Sequence, residues 1–313
     1  MQSPNSNAIL LHELLNDAEK MVQFTCEVTG LSRGHVAQQL TEENSSLGHT
    51  VWKELAIRGI TPYRWSTALE NFYVETTAFL FESVVWNRSS LKQELRQWIT
   101  SYLQSNYNRP IRVLVFGDGL GFDSAHFAGA GHDTSYFEVS ELAIQFASKV
   151  HAACGQQVER LTTIEEVRAQ SFDVIVCLDV LEHVQDPVGL VQLLSSILRP
   201  DGRLITHAPF WYIAPSVGTH LASNRRFSGD WKRLYRPEGL RPIEATLFWN
   251  PVVLAKEPAT TKLPSKLRIL LGGWLLSIGR FWSAPHVFIV KRMLKRSIGP
   301  WPEMEKVIET CRQ

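Results

Sequence analysis

Three glycines at alternate positions, Gly117, Gly119 and Gly121, follow directly on the apolar run Ile111 to Phe116, and an acid, Glu138, closes the next extended run. Glycine has no Cβ, so such a turn is tight enough for a flat cofactor to lie against it. An acid about 20 residues further on can accept hydrogen bonds from both hydroxyls of a ribose. The spacing narrows the cofactor. A dinucleotide site wants G-x-G-x-x-G, but Phe122 stands at the third glycine position when counting starts at Gly117, and Ser124 when it starts at Gly119. The pattern G-x-G-x-G suits a nucleoside without a pyrophosphate. Asp118 sits inside the turn.

Three histidines are the other carriers of chemistry: His183 and His207, each just beyond an apolar run, and His220 in an irregular aromatic stretch. In a doubly wound sheet, ligands bind outside the carboxyl ends of the strands, which places His183 and His207 on the reactive edge as base or substrate contact. His207 and His220, with an acid such as Asp179, form an alternative metal-assisted arrangement, since imidazoles plus carboxylate suit iron or zinc. No local ligand spacing backs it, and the first reading has no metal. The stretch from Pro209 to Phe227 is long for a loop, and long ordered loops are usually functional. Its Tyr212 and His220 are candidate substrate contacts, and Arg225 a candidate clamp for a carboxylate or phosphate.

These residues need a scaffold. Residues 8 to about 105 show helical periodicity and almost no strand pattern, divided by Gly30, Gly59 and Pro62 into four expected helices. The last begins at a capping pattern, Ser90 with Gln93. Asn106 to Pro110 marks the expected boundary, giving a helical N-terminal cap or dimerisation domain over 1–107 and an α/β domain over 108–313. From Ile111 strand and helix alternate, as in a mostly parallel sheet with helices on both faces. Strands are expected at Phe172–Asp179, Arg203–Ala208, Ile243–Phe248 and His286–Val290. An amphipathic helix is expected at Leu267–Trp282, between the last two.

Two separated stretches carry a family resemblance. Val113 to Gly121 resembles the first, cofactor-cradling motif of class I S-adenosylmethionine-dependent methyltransferases of the small-molecule kind. Phe172-Asp173-Val174-Ile175, Leu181-Glu182-His183-Val184-Gln185-Asp186-Pro187 and Leu198-Arg199-Pro200-Asp201-Gly202 are similar to the ubiquinone-biosynthesis O-methyltransferase group. The resemblance implies a Rossmann-like seven-stranded sheet whose last strand, assigned to His286–Val290, runs antiparallel. It implies S-adenosyl-L-methionine as cofactor, held by Gly117, Asp118, Gly119, Gly121, Glu138, Leu178 and Asp179. It also implies methyl transfer to O, N or C of a small molecule, with a catalytically silent cofactor-binding subunit as the alternative. Phe116 stands where the family often has an acid, and the adenine-contacting acid near the third strand has no clear counterpart.

Composition limits the partners. The 32 basic and 31 acidic residues nearly cancel, which disfavours nucleic acid. Four scattered cysteines without C-x-x-C spacing, and a polar Met1 to Asn7 without a leader pattern, agree with a reducing, cytoplasmic setting. The stretch from Arg268 to Arg280 is too short to cross a bilayer, but peripheral membrane contact is open to it. A homodimer is equally compatible.

Overall fold

The computed structural model describes residues 8–257 and 261–312; Met1 to Asn7, read above as free of a leader, lie outside them. The N-terminal third is helical, in seven pieces: α1 (Leu11–Asn16), α2 (Ala18–Thr29), α3 (Arg33–Ser45), α4 (His49–Ile57), α5 (Thr67–Glu75), α6 (Ala78–Arg88) and α7 (Ser90–Asn106). Local chemistry divides the four expected runs further. Asp17 leaves helical geometry, and its carboxylate accepts from the Lys20 amide at 3.0 Å, so it ends α1 and caps α2. Gly48 takes φ +82 and parts α3 from α4, while the extended Thr76 parts α5 from α6. The cap of α7 is Ser89, one residue before the expected position, and its hydroxyl accepts from the Lys92 amide at 3.2 Å.

The sheet has seven strands: β1 (Arg112–Phe116), β2 (Asp133–Phe137), β3 (Glu159–Leu161), β4 (Phe172–Leu178), β5 (Leu198–His207), β6 (Leu240–Ala245) and β7 (Val252–Lys256). Their order is β3-β2-β1-β4-β5-β7-β6. The first five are parallel, and β7 runs antiparallel to both β5 and β6. Between and after them come α8 (Phe122–Gly129), α9 (Glu141–Ala153), α10 (Ile164–Arg168), α11 (Pro187–Ser196), α12 (Trp231–Leu234), α13 (Leu263–Phe281), α14 (Ala284–Ile298) and α15 (Pro302–Arg312).

Two expectations at the C-terminal end are overturned. The antiparallel strand is Val252–Lys256, and His286–Val290 lies inside α14, so α13 follows the last strand and does not separate two strands. A short apolar run has no period of its own to distinguish strand from buried helix. Here Pro285, near the first turn with its φ already suitable, and the long basic continuation favour helix. The sixth strand also begins and ends about three residues earlier than Ile243–Phe248, within the ordinary uncertainty of boundaries.

Alternation along β4 shows how the sheet is covered. Val174, Val176 and Leu178 pack with Ile99 and Leu103 of α7, whereas Ile175 and Cys177 pack with Val191 and Leu194 of α11 and Leu276 of α13. A second apolar cluster joins α1, α2, α3 and α6 to α8, α9 and α15. The helical segment therefore shares its core with the α/β layers. Asp173, at the amino end of β4, accepts from the Arg112 amide at 2.9 Å and from Arg199 at 2.8 Å, a structural tie far from the reactive edge.

Candidate functional site

A cavity of about 1140 Å³ opens beyond the carboxyl ends of β1, β2, β4 and β5, under α5 and α6 and beside α13 and α14. Single-ligand pockets usually occupy roughly 300–1,000 Å³, so this one has room for two molecules side by side. Its wall includes Gly117, Gly119, Glu138, Asp179, His183, His207, Tyr212 and His220.

Each glycine of the turn has its own reason. All three take positive φ, between +62 and +77. A Cβ on Gly117 would fall 2.6 Å from Val180 Cγ2, and one on Gly121 2.8 Å from His151 Nε2. On Gly119 it would meet nothing within 4 Å, because that residue faces the cavity. The turn is pinned from behind: the Tyr136 hydroxyl donates to Gly119 O at 2.7 Å. Glu138 accepts from the Gly119 amide at 2.9 Å and from those of Val139 and Ser140 at 2.7 and 3.1 Å. Burial raises its carboxyl above the ordinary value, against the pull of these amides. Asp118 turns inward and caps α8, accepting from Asp123 N at 3.0 Å and Ser124 N at 2.8 Å. Leu178 packs in the core, and neither it, Asp118 nor Gly121 lines the cavity.

Asp179 and His207 meet. They end adjacent parallel strands; Asp179 bends into the left-handed region at φ 58, and its amide donates to His207 O at 2.9 Å. His207 Nδ1–H donates to Asp179 Oδ1 at 2.7 Å, which leaves Nε2 as the free ring nitrogen. The other carboxylate oxygen accepts from Trp86 Nε1 at 3.0 Å and Lys92 Nζ at 3.3 Å. Burial alone would raise the Asp179 carboxyl, but Lys92 and then His207 hold it far below the usual range, so it stays charged. Lys92 is itself buried, 3.1 Å from Asp123, which Arg96 also grips at 2.6 Å.

His183 and His220 form a second group, which does not include His207. The His220 Nδ1–H donates to Tyr212 O at 2.8 Å, and His183 Nδ1 contacts the Tyr73 hydroxyl at 2.9 Å and Thr219 O at 3.3 Å. Both Nε2 atoms are thereby turned to Glu182 Oε1, each 3.9 Å away. Glu182 is 1% exposed, and neither of its carboxylate oxygens has a hydrogen-bond partner among the described residues. Burial raises its carboxyl well above the ordinary value and lowers both imidazoles, His183 to about 4. Among the described residues these three side chains are the set whose ligand atoms lie within 4.8 Å of one another. The grouping of His207 with His220 expected for a metal is not found; His220 instead lies with Glu182 and His183.

Arg225 donates to the carbonyls of Gly279 and Arg280 at 3.4 and 3.0 Å, so it closes the end of α13 and does not line the cavity. Tyr73 of α5 and Trp65, in the loop before it, reach the cavity, while Phe72 is core. Sequence reasoning missed Glu82, Trp86, Lys92 and Glu182. The first three lie on helices where a single polar or aromatic residue gives no positional signal; Glu182 lies inside the Leu181–Pro187 stretch that carries the family resemblance.

A family model described as a methyltransferase domain matches residues 88–241. The ubiquinone biosynthesis O-methyltransferase of Marinobacter nauticus is 31% identical over 163 residues, covering 45% of this chain and 68% of that protein. The protein of the same name from Bordetella avium is 32% identical over 188 residues, covering 50% and 72%. Other curated relatives are matched over less than two thirds of their length, some over 41%. A solved S-adenosylmethionine-dependent methyltransferase from Clostridium acetobutylicum shares 15% identity over 43% of this chain and 57% of that one, with a TM-score of 0.38. That likeness is too slight to argue from.

Proposed function

The chain belongs to the class I S-adenosylmethionine-dependent methyltransferases, an enzyme with S-adenosylmethionine as cofactor, and from this we propose that it methylates a hydroxyl oxygen of a small acceptor with His207 as general base. The observation that carries the reading is the Asp179–His207 pair, 2.7 Å apart on the cavity wall.

The residues suit the cofactor: Gly117 and Gly119 form a wall without side chains, and Glu138 stands beside them for the ribose. Asp118, Gly121 and Leu178 support that wall from behind. Bound there, the cofactor supplies a methyl group on a positively charged sulfonium. The acceptor hydroxyl approaches His207 Nε2, which takes its proton, and the charge left on the ring is stabilised by Asp179, itself fixed by Lys92 and Trp86. Holding the two reactants in line contributes about 7–11 kcal/mol, more than the roughly 3–5 kcal/mol of a general base, so the enclosing helices matter as much as the histidine. In this reading the segment 1–107 is a cap, with Tyr73, Trp86 and Glu82 facing the reactants, and Tyr212 contacts the acceptor.

The name of the relatives supports transfer to oxygen. Calorimetry with S-adenosylhomocysteine, followed by a radiometric screen of phenols and catechols, tests the reading. A folded protein that binds no S-adenosylhomocysteine overturns it, as does transfer confined to amines.

A second reading is favoured by Glu182. Two imidazoles with free Nε2 atoms, each Nδ1 engaged by an oxygen, facing an unpartnered buried carboxylate, are the donors that zinc or iron prefers. Held by Glu182, His183 and His220, such an ion would supply Lewis-acid chemistry to an acceptor oxygen. Metal analysis of protein purified without a histidine tag tests it: stoichiometric zinc or iron that is lost in Glu182→Gln supports the reading, and metal-free active enzyme removes it.

A further inference from the structure

The consecutive helices α13 and α14 are built the wrong way round for water-facing elements. Toward the protein α13 turns Gly272, Gly273 and Gly279; a Cβ on the first two would fall 2.9 Å from Trp249, and one on Gly279 3.3 Å from Trp211. Away from it stand Leu267, Leu270, Leu271, Trp274, Phe281 and Trp282, each at least half exposed and most of them on one helical face. Isolated exposed apolar residues need no explanation, but a contiguous row of leucines and aromatics marks a contact surface.

Charge names the partner. Residues 261–300 hold eight lysines and arginines and no acid, in a chain whose total is +1, which leaves −7 for the remainder. Lys291, Arg292, Lys295 and Arg296 are all exposed on α14, among the exposed Phe288, Ile289 and Met293 of the same helix. Amphipathic helices with apolar aromatics on one face and lysine or arginine beside it lie in the plane of anionic bilayers, where each basic residue near the surface adds to the attraction. Among the described residues no helix is long and apolar enough to cross a membrane.

The surface is continuous with the cavity. Ile289 and Met293 are exposed and also line it, as do Leu247 and Phe248 at its rim. We propose that α13 and α14 dock the enzyme on an anionic phospholipid bilayer, with this mouth of the cavity held at the lipid surface. The inference goes beyond the methyltransferase reading and stands without it.

The test is co-sedimentation of the full chain with vesicles of phosphatidylcholine alone or with one quarter phosphatidylglycerol, at low and high salt. The expected result is binding at least tenfold tighter to the anionic vesicles, weakened by salt, and reduced at least tenfold in Trp274→Ser/Phe281→Ser/Trp282→Ser. Those three residues do not line the cavity, so unchanged S-adenosylhomocysteine binding by calorimetry reports that the variant is folded. A second variant, Lys291→Gln/Arg292→Gln/Lys295→Gln/Arg296→Gln, should lose the preference for anionic lipid. Absence of sedimentation with either vesicle overturns the proposal. So does equal binding by wild type and the triple variant, or sedimentation equilibrium showing that the apolar row is buried in a dimer which the triple variant splits.

Discussion

His207 and Asp179 are 28 residues apart in the chain and become neighbours because β4 and β5 are adjacent, parallel and in register at their carboxyl ends. The sequence placed both at the reactive edge, since each follows an apolar run, but it held no sign that one orients the other: register between strands is set by the whole sheet. The pairing leads to a specific expectation. His207→Ala should lower kcat by about 10²- to 10⁴-fold, the range of a general base, while the dissociation constant for S-adenosylhomocysteine stays essentially unchanged. An equal loss in both would make His207 a cofactor contact. Glu138 separates the other way. Its three amide bonds leave it poised beside the turn, and Glu138→Gln keeps the shape but removes the charged acceptor, so cofactor affinity should fall about tenfold, or roughly 1.5 kcal/mol, with kcat at saturation largely kept. Calorimetry and saturation kinetics on the same preparation distinguish the two.

At the scale of elements, the apolar strands β1 and β4, the carboxyl half of β5 and the glycine-ended helices are legible because each apolar run is bounded by a turn signal. The C-terminal end is not. β7 is five residues long after a turn, and α14 shows an apolar run of four, Val287 to Val290, before its basic half begins. The most consequential element, α7, was read as the end of a helical domain, whereas it covers one face of the sheet and carries Lys92 to the site. Burial opposes the charge of Lys92, but Asp123 and Asp179 outweigh it and raise its affinity for the proton. One ammonium thus joins α7 to α8 and to the end of β4. Replacing one partner of such a buried set leaves the others uncompensated, which costs about 3–5 kcal/mol. Lys92→Met, which keeps the apolar stem, should therefore lose about that much stability in urea unfolding and also lower activity, because Asp179 no longer has its second anchor. A loss within the range of surface substitutions, about ±0.5 kcal/mol, would show that Arg96 alone carries the network.

The whole molecule stores titratable groups of opposite sense, and this makes its stability a test of where burial falls. His126, His151 and His183 are driven by burial from 6.5 to about 4. The unfolded chain binds these protons near pH 6.5 and the folded one does not, so their contribution is complete above pH 6.5, is lost as pH falls, and levels off below about pH 4. Each shift of about 2.5 units corresponds to roughly 3 kcal/mol. Asp118 acts in the opposite sense: burial and then Asp123 raise it from 3.8 to about 7, so its contribution is complete below pH 3.8 and is lost as pH rises through 7. The two opposing slopes overlap between pH 4 and 6.5, so the wild-type curve reports only their difference. Single variants separate them. His151 contacts the Ser124 hydroxyl through Nε2 at 2.8 Å, a contact an amide can replace, so His151→Gln should flatten the acid limb by about 3 kcal/mol between pH 6.5 and 4 in urea unfolding. Asp118→Asn keeps an acceptor for the α8 amides and should remove the decline toward pH 7 while leaving the acid limb intact. Neither effect was visible in the sequence, because it depends on helices α1 to α7 being folded against α8 and α9, and composition alone does not report how deeply a histidine is covered. If His151→Gln unfolds with the wild-type pH dependence, His151 is wet, and the apolar cluster joining the N-terminal helices to α8 and α9 is looser than its contacts imply.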